Sequence, residues 1–113
     1  MLCFDGSIWM IPQAVDMRQG IEGLSHYLIR TLGHNPCQGE AFLFRNKTNT
    51  RVKVLIWDGN GIWLCHRQLH RGRFTWAKED DRSFTLTKSQ WQWLVMGADW
   101  RRVEAKPHPD WQP

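Results

Sequence analysis

A chain of 113 residues lies in the size range of one domain and is long enough to bury a core of its own. Its formal charge of +4, from 15 Lys and Arg against 11 Asp and Glu, permits an acidic partner without demanding one. No apolar run approaches the roughly 20 residues that cross a bilayer, which excludes a helical membrane span.

Residues 7–11 read as a short first strand that Pro12 ends or marks as an edge, because Pro cannot donate to a ladder. Asp16 is placed to cap a helix in which Ile21, Leu24, Leu28 and Leu32 recur at three- and four-residue steps. Gly33 sits where a left-handed C-cap belongs, and Gly20 and Gly23 suggest close packing of that helix on a sheet. Residues 41–45 form a second strand, and the polar run NKTNT turns it into a third at 52–57.

The DGNG run at 58–61 supplies the residues a tight hairpin needs. With Gly59 and Asn60 as the loop, Trp57 faces Ile62, Leu55 faces Leu64 and Lys53 faces His66, while Ile56, Val54 and Val52 face Trp63, Cys65 and Arg67. Both faces of this hairpin are apolar near the turn, so each needs a cover. Arg71-Gly72 turns the chain into a further extended stretch at 73–76, KEDD makes an acidic loop, and residues 83–86 form a last strand.

Thr87 and Gln90 have the spacing of a capping box, opening a helix whose Trp91, Leu94, Val95 and Ala98 share one face and which ends near Gly97. Trp93, Met96 and Trp100 form a second apolar stripe, which either meets a partner (another subunit, a protein partner or the tail around Trp111) or is buried under the domain's own loops. Residues 1–102 thus make one domain, and the Pro-rich residues 103–113 are expected to be extended or disordered. The predicted fold is α+β, a curled and mostly antiparallel sheet of about five or six strands with two helices packed on it.

Three cysteines at irregular spacing do not make a disulfide framework, and a reducing cytoplasm is the expected setting. The eight tryptophans must be buried or held at interfaces. There is no phosphate-binding Gly loop, no nucleophile elbow and no spaced acidic triad, so no catalytic residue is assigned and an enzyme is not expected. His34, Cys37, Cys65, His66 and His70 lack paired ligand spacing, and Cys65 and His66 point to opposite faces of a strand, so no metal and no cofactor is expected.

The cations are less evenly placed. Arg45, Lys47, Arg51, Lys53, Arg67, Arg71 and Arg73 fall between positions 45 and 73 with Asp58 as the only acid, so that segment carries +6 and the remainder −2. The hairpin pairing gathers most of them at one end of the sheet, a pattern that suits phosphate oxygens without implying any base preference. These seven residues are the candidate DNA-binding set.

The segments AVDMRQGIEGL (14–24), FLFRNKTNTRVKVLIWDGNGIWLCHRQLHRGRFTW (42–76) and LTKSQWQWLVMGADWRR resemble the small TnpB-type, or Orf2-like, accessory protein of bacterial insertion sequences of the IS-sixty-six type. The matched positions include Asp16, Met17, Arg18, Gly20, Gly23, Phe44, Arg45, Trp57, Asp58, Gly61, Arg71, Gly72, Arg73 and Trp76. The chain departs from the family in its neutral NTN, where a basic loop is frequent, and in the tail after Arg102. The resemblance implies a non-enzymatic accessory protein of DNA transposition, encoded beside a separate transposase that carries the acidic catalytic residues. Element DNA and that transposase are the implied partners, and a homo-oligomer is compatible with the reading. The alternative is a pure protein–protein adaptor without direct DNA binding.

Overall fold

The computed structural model describes residues 6–33 and 39–102. In chain order it contains β1 (Ile8–Ala14), α1 (Ile21–Tyr27) continuing into a π-helical turn (Leu28–Leu32), β2 (Ala41–Arg45), β3 (Arg51–Trp57), β4 (Ile62–Gln68), β5 (Phe84–Leu86), α2 (Lys88–Val95) and a final 3₁₀ turn (Trp100–Arg102). The five strands make one open sheet in the order β4-β3-β2-β1-β5. Three pairings are antiparallel, while β1 and β2 run parallel because the helical crossover through α1 joins them.

Side-chain alternation splits the core into two layers, one on each side of the sheet. All five residues of β2 are buried. Ala41 and Leu43 join Ile8, Met10, Val54, Ile56, Phe74, Trp76 and Leu94 on the α2 side. Phe42 and Phe44 join Ile11, Leu24, Leu28 and Leu55 on the α1 side. The two covers that the β3–β4 hairpin requires are therefore α1 with its π-helical turn on one face, and α2 with the 73–77 segment on the other.

The hairpin register is the one expected from a Gly59-Asn60 loop, from Trp57 opposite Ile62 to Val52 opposite Arg67. Gly59 takes φ 95 at the first central position, and the Asp58 carboxylate accepts from the backbone N–H groups of Asn60 and Gly61 at 2.9 and 2.7 Å. The capping box also forms: Thr87 Oγ1 accepts from Gln90 N at 3.1 Å and Gln90 Oε1 accepts from Thr87 N at 2.9 Å. At its far end the helix stops at Gly97, with φ 79.

Other expectations give way. Pro12 does not end β1: the strand runs through it to Ala14, although β5 has already stopped at Met10, so Pro12 lies on a local edge. The register to β2 shifts between Met10 and Ala14, and β5 pairs only with Ile8 to Met10, so no ladder calls on the missing N–H. Two carbonyls near this irregularity accept from side chains, Ile11 O from Trp76 Nε1 and Pro12 O from Arg45 Nε, both at 2.8 Å. Asp16 is not the helix cap. Gly20 holds that position, and Asp16 instead accepts from Arg18 N at 2.9 Å and pairs with its guanidinium.

The close-packing role of Gly20 and Gly23 also fails. A Cβ at Gly20 would meet nothing within 4 Å, and one at Gly23 would meet the Gln19 side chain at 3.0 Å rather than the sheet. Residues 73–76 do not form a sixth strand. They are anchored singly, by Phe74 N donating to Asn49 O at 2.7 Å and by the buried Phe74 and Trp76 side chains. The proposed tail, 103–113, lies outside the described residues, as do Cys3, His34 and Cys37. Among the described residues no helix is long and apolar enough to cross a membrane.

Candidate nucleic-acid interface

The open end of the β3–β4 hairpin is built from two segments that are tied together. The turn at 46–50 is stitched by Asn46, whose Oδ1 accepts from Thr50 N and Arg51 N at 3.0 and 3.1 Å and whose Nδ2 donates to Thr50 Oγ1 at 3.0 Å. Asn49 adopts φ 59, which a short polar side chain tolerates. The segment after β4 docks onto this turn through Leu69 N to Thr50 O at 3.2 Å and Phe74 N to Asn49 O. Lys47 and Arg51 therefore stand at the same end of the sheet as Arg71 and Arg73. All four are exposed, and none of their side chains has a hydrogen bond or ion pair with another described residue. Gly72, with φ 80, makes the tight turn between the two arginines.

The other three candidate cations are engaged by the protein itself. Arg45 is 7% exposed, with Nε donating to Pro12 O and Nη1 to Asn49 Oδ1 at 3.1 Å. Lys53 is 9% exposed, and its ammonium donates to Met17 O at 2.6 Å and Gln19 O at 2.7 Å. Both are buried and bonded to acceptors of the protein itself, and both leave the candidate set. They were misplaced because the sequence shows a cation on a strand but not which carbonyls wait beside it. Arg67 is exposed, yet its Nε donates to Val95 O at 2.5 Å, placing a cation at the C-terminal end of α2 where the helix dipole favours one.

A cleft of about 470 Å³ opens beside Lys47 and Arg51, lined also by Ala14, Val15, Asp16, Met17, Asn46 and Thr48. Asp16 puts a carboxylate on its wall, held down to a pKa of about 2 by hydrogen bonds from Arg18. That acid is matched locally and leaves Lys47 and Arg51 uncompensated. His66, near Arg51 and Lys53, has its pKa lowered from the ordinary imidazole value by partial desolvation and by those two cations.

Trp93 on α2 and Met96, which caps its C-terminal end, are exposed, at 40% and 64%. Trp100 is not part of that surface: it is 6% exposed, its Nε1 donates to Thr75 O at 2.7 Å, and its ring packs on Phe84 with centroids 5.8 Å apart. The helix ends before it, so the stripe drawn at helical spacing breaks at Gly97. Asn46 is the site residue that sequence reasoning missed. Its signal was present, since Asn opening a polar turn favours side-chain to backbone bonding.

The model of the family described as IS66 Orf2 like protein matches residues 6–105. The chain belongs to that family. Two relatives from Sinorhizobium fredii (strain NBRC 101917 / NGR234) agree in extent. Uncharacterized protein y4hO is 32% identical over 94% of this chain and 89% of its own, and Uncharacterized protein y4jC is 34% identical over 88% and 86%. No solved structure matches the chain. Orf2-like proteins of this family are associated with transposition of their insertion sequences.

Proposed function

We propose that this protein is a non-catalytic accessory factor of transposition that holds element DNA by its phosphates, using Lys47, Arg51, Arg71 and Arg73. The observation that carries the reading is the pairing state of these residues: four exposed cations, on two segments bonded to each other, with no acidic partner among the described residues. An exposed cation left unpaired at a rigid end of a sheet is free to exchange its counterions for phosphate oxygens. Four such contacts would give sequence-independent binding with a steep dependence on salt.

Arg71→Ala/Arg73→Ala tests this by fluorescence anisotropy over a salt series. The double variant should keep its thermal midpoint, weaken on all sequences alike, and lose about two units from the slope of log affinity against log salt, one per phosphate contact. An unaltered affinity and slope in the folded variant would overturn the reading. The exposed pair Trp93 and Met96 favours a second one, in which the protein docks the transposase through α2 without touching DNA itself.

A further inference from the structure

β4 ends the sheet, and among the described residues nothing pairs with its outer side. The ladder identifies the free backbone groups. Hydrogen-bonded and non-hydrogen-bonded residue pairs alternate along an antiparallel hairpin. Asp58 N donates to Gly61 O at one end and Leu69 N to Thr50 O at the other, which fixes the phase between them. Trp63, Cys65 and Arg67 therefore bond inward to Ile56, Val54 and Val52, while Ile62, Leu64, His66 and Gln68 turn their N–H and C=O groups outward. The edge has neither a proline nor a bulge, and its seven residues run in unbroken register, so the usual backbone devices that close an edge are missing.

We infer that this edge pairs with the same edge of a second copy, antiparallel about a twofold axis at Cys65, making one continuous sheet across both molecules. Cys65 is the midpoint of the strand, so Leu64 of each copy faces His66 of the other and Ile62 faces Gln68. Every outward group then finds a complement, giving about eight new backbone hydrogen bonds. The inward-bonded residues become the close pairs of the new ladder. There Trp63, 50% exposed, meets the guanidinium face of Arg67 of the second copy. An axis at His66 would set that residue against itself and shorten the overlap.

Charge also selects a second copy. Beyond the ladder, the acidic hairpin tip at Asp58 lies toward the basic end of the other molecule, twice, an attraction at longer range that leaves Arg71 and Arg73 without a direct ion pair. Hydrogen bonds from Asn60 N, Gly61 N and Trp63 Nε1 keep Asp58 ionised in that position.

The test begins with sedimentation equilibrium of the full chain, which should show a dimer. A Cys3→Ser/Cys37→Ser variant leaves Cys65 as the sole thiol. Mild oxidation with diamide should then link two chains without changing the circular dichroism, since a non-hydrogen-bonded antiparallel pair holds its side chains within disulfide reach. His66→Pro removes an outward N–H and no bond to β3, so it should give a folded monomer. Should that variant fail to fold, Trp63→Lys, which sets a cation against Arg67, should weaken dimerisation by about tenfold or more. A wild-type monomer at high micromolar concentration would overturn the inference. So would a dimer that gives no Cys65 cross-link, or one that Trp63→Lys leaves unchanged.

Discussion

Replacing Lys53 with Met keeps the length and the apolar stem of the side chain and removes only the ammonium. In the native structure that ammonium donates to Met17 O and Gln19 O, and so fastens the 16–20 loop to β3. A hydrogen bond to a charged group contributes about 1.5–3 kcal/mol, so the two together set a ceiling of about 3–6 kcal/mol. Two effects reduce it. The buried ammonium carries a desolvation cost that Met does not, and the loop lies partly in water, which can reach the freed carbonyls. The expected net loss is about 2–3 kcal/mol. For a chain of this size that lowers the thermal midpoint by roughly 8–15 °C. Urea and thermal denaturation read the loss directly, and DNA titration at a temperature where both proteins are folded should show an unchanged salt slope. The reverse pattern, an unchanged midpoint with weaker binding and a shallower slope, would show that Lys53 reaches phosphate and would refute its assignment to the interior.

Thr87→Ala removes the side-chain half of the α2 capping box and should cost about 1 kcal/mol in urea denaturation, with DNA affinity unaffected. Phe44→Ala empties a fully buried site whose ring meets Tyr27 edge-on at 6.2 Å, and should cost about 3–5 kcal/mol by the same measurement. Trp57→Ala should cost less than that, because Trp57 is only half-buried at the hairpin tip. Asp16 has its pKa lowered from 3.8 to about 2 by Arg18, so the folded state favours the ionised carboxyl. Its contribution to stability is complete above about pH 4 and is lost as the pH falls through about 2. An NMR titration of the Asp16 carboxyl should give a midpoint near 2 that returns toward the ordinary value in Arg18→Ala; an unmoved midpoint in that variant would remove Arg18 as the cause.

The elements that the sequence made legible were those decided by short-range chemistry. The Gly59-Asn60 turn sets the β3–β4 register by counting outward from the loop, and Thr87 with Gln90 sets the start of α2 by two reciprocal hydrogen bonds. The elements that were not legible depend on distant partners. Pro12 looks like a strand end until β5 is seen to stop at Met10 and the register to β2 to shift, which frees the position from any ladder. Residues 73–76 look like a strand because Phe74 and Trp76 alternate with polar neighbours, yet both rings enter the core from a segment whose amide Phe74 N is taken by a turn 25 residues earlier. The parallel pairing of β1 with β2 was missed for the same reason, since it follows from where the α1 crossover returns the chain.

The candidate site shows the same division within one residue type. Seven cations lie between positions 45 and 73, and nothing local separates them. Lys53 sits in the middle of the face that α1 covers, so its stem is enclosed and its ammonium must find acceptors; the loop carbonyls of Met17 and Gln19 are what it finds. Arg45 ends β2 beside the irregularity at Pro12 and takes the carbonyl exposed there. Lys47, Arg51, Arg71 and Arg73 lie in or next to turns and are exposed. One of the two buried cations nonetheless bears on how an exposed one is presented. Arg45 bonds Asn49, whose carbonyl holds Phe74, and Phe74 directly follows Arg73. A cation inside the protein thus helps to fix the turn from which cations outside it face solvent, so removing Arg45 should loosen Arg73 without taking a charge from the surface.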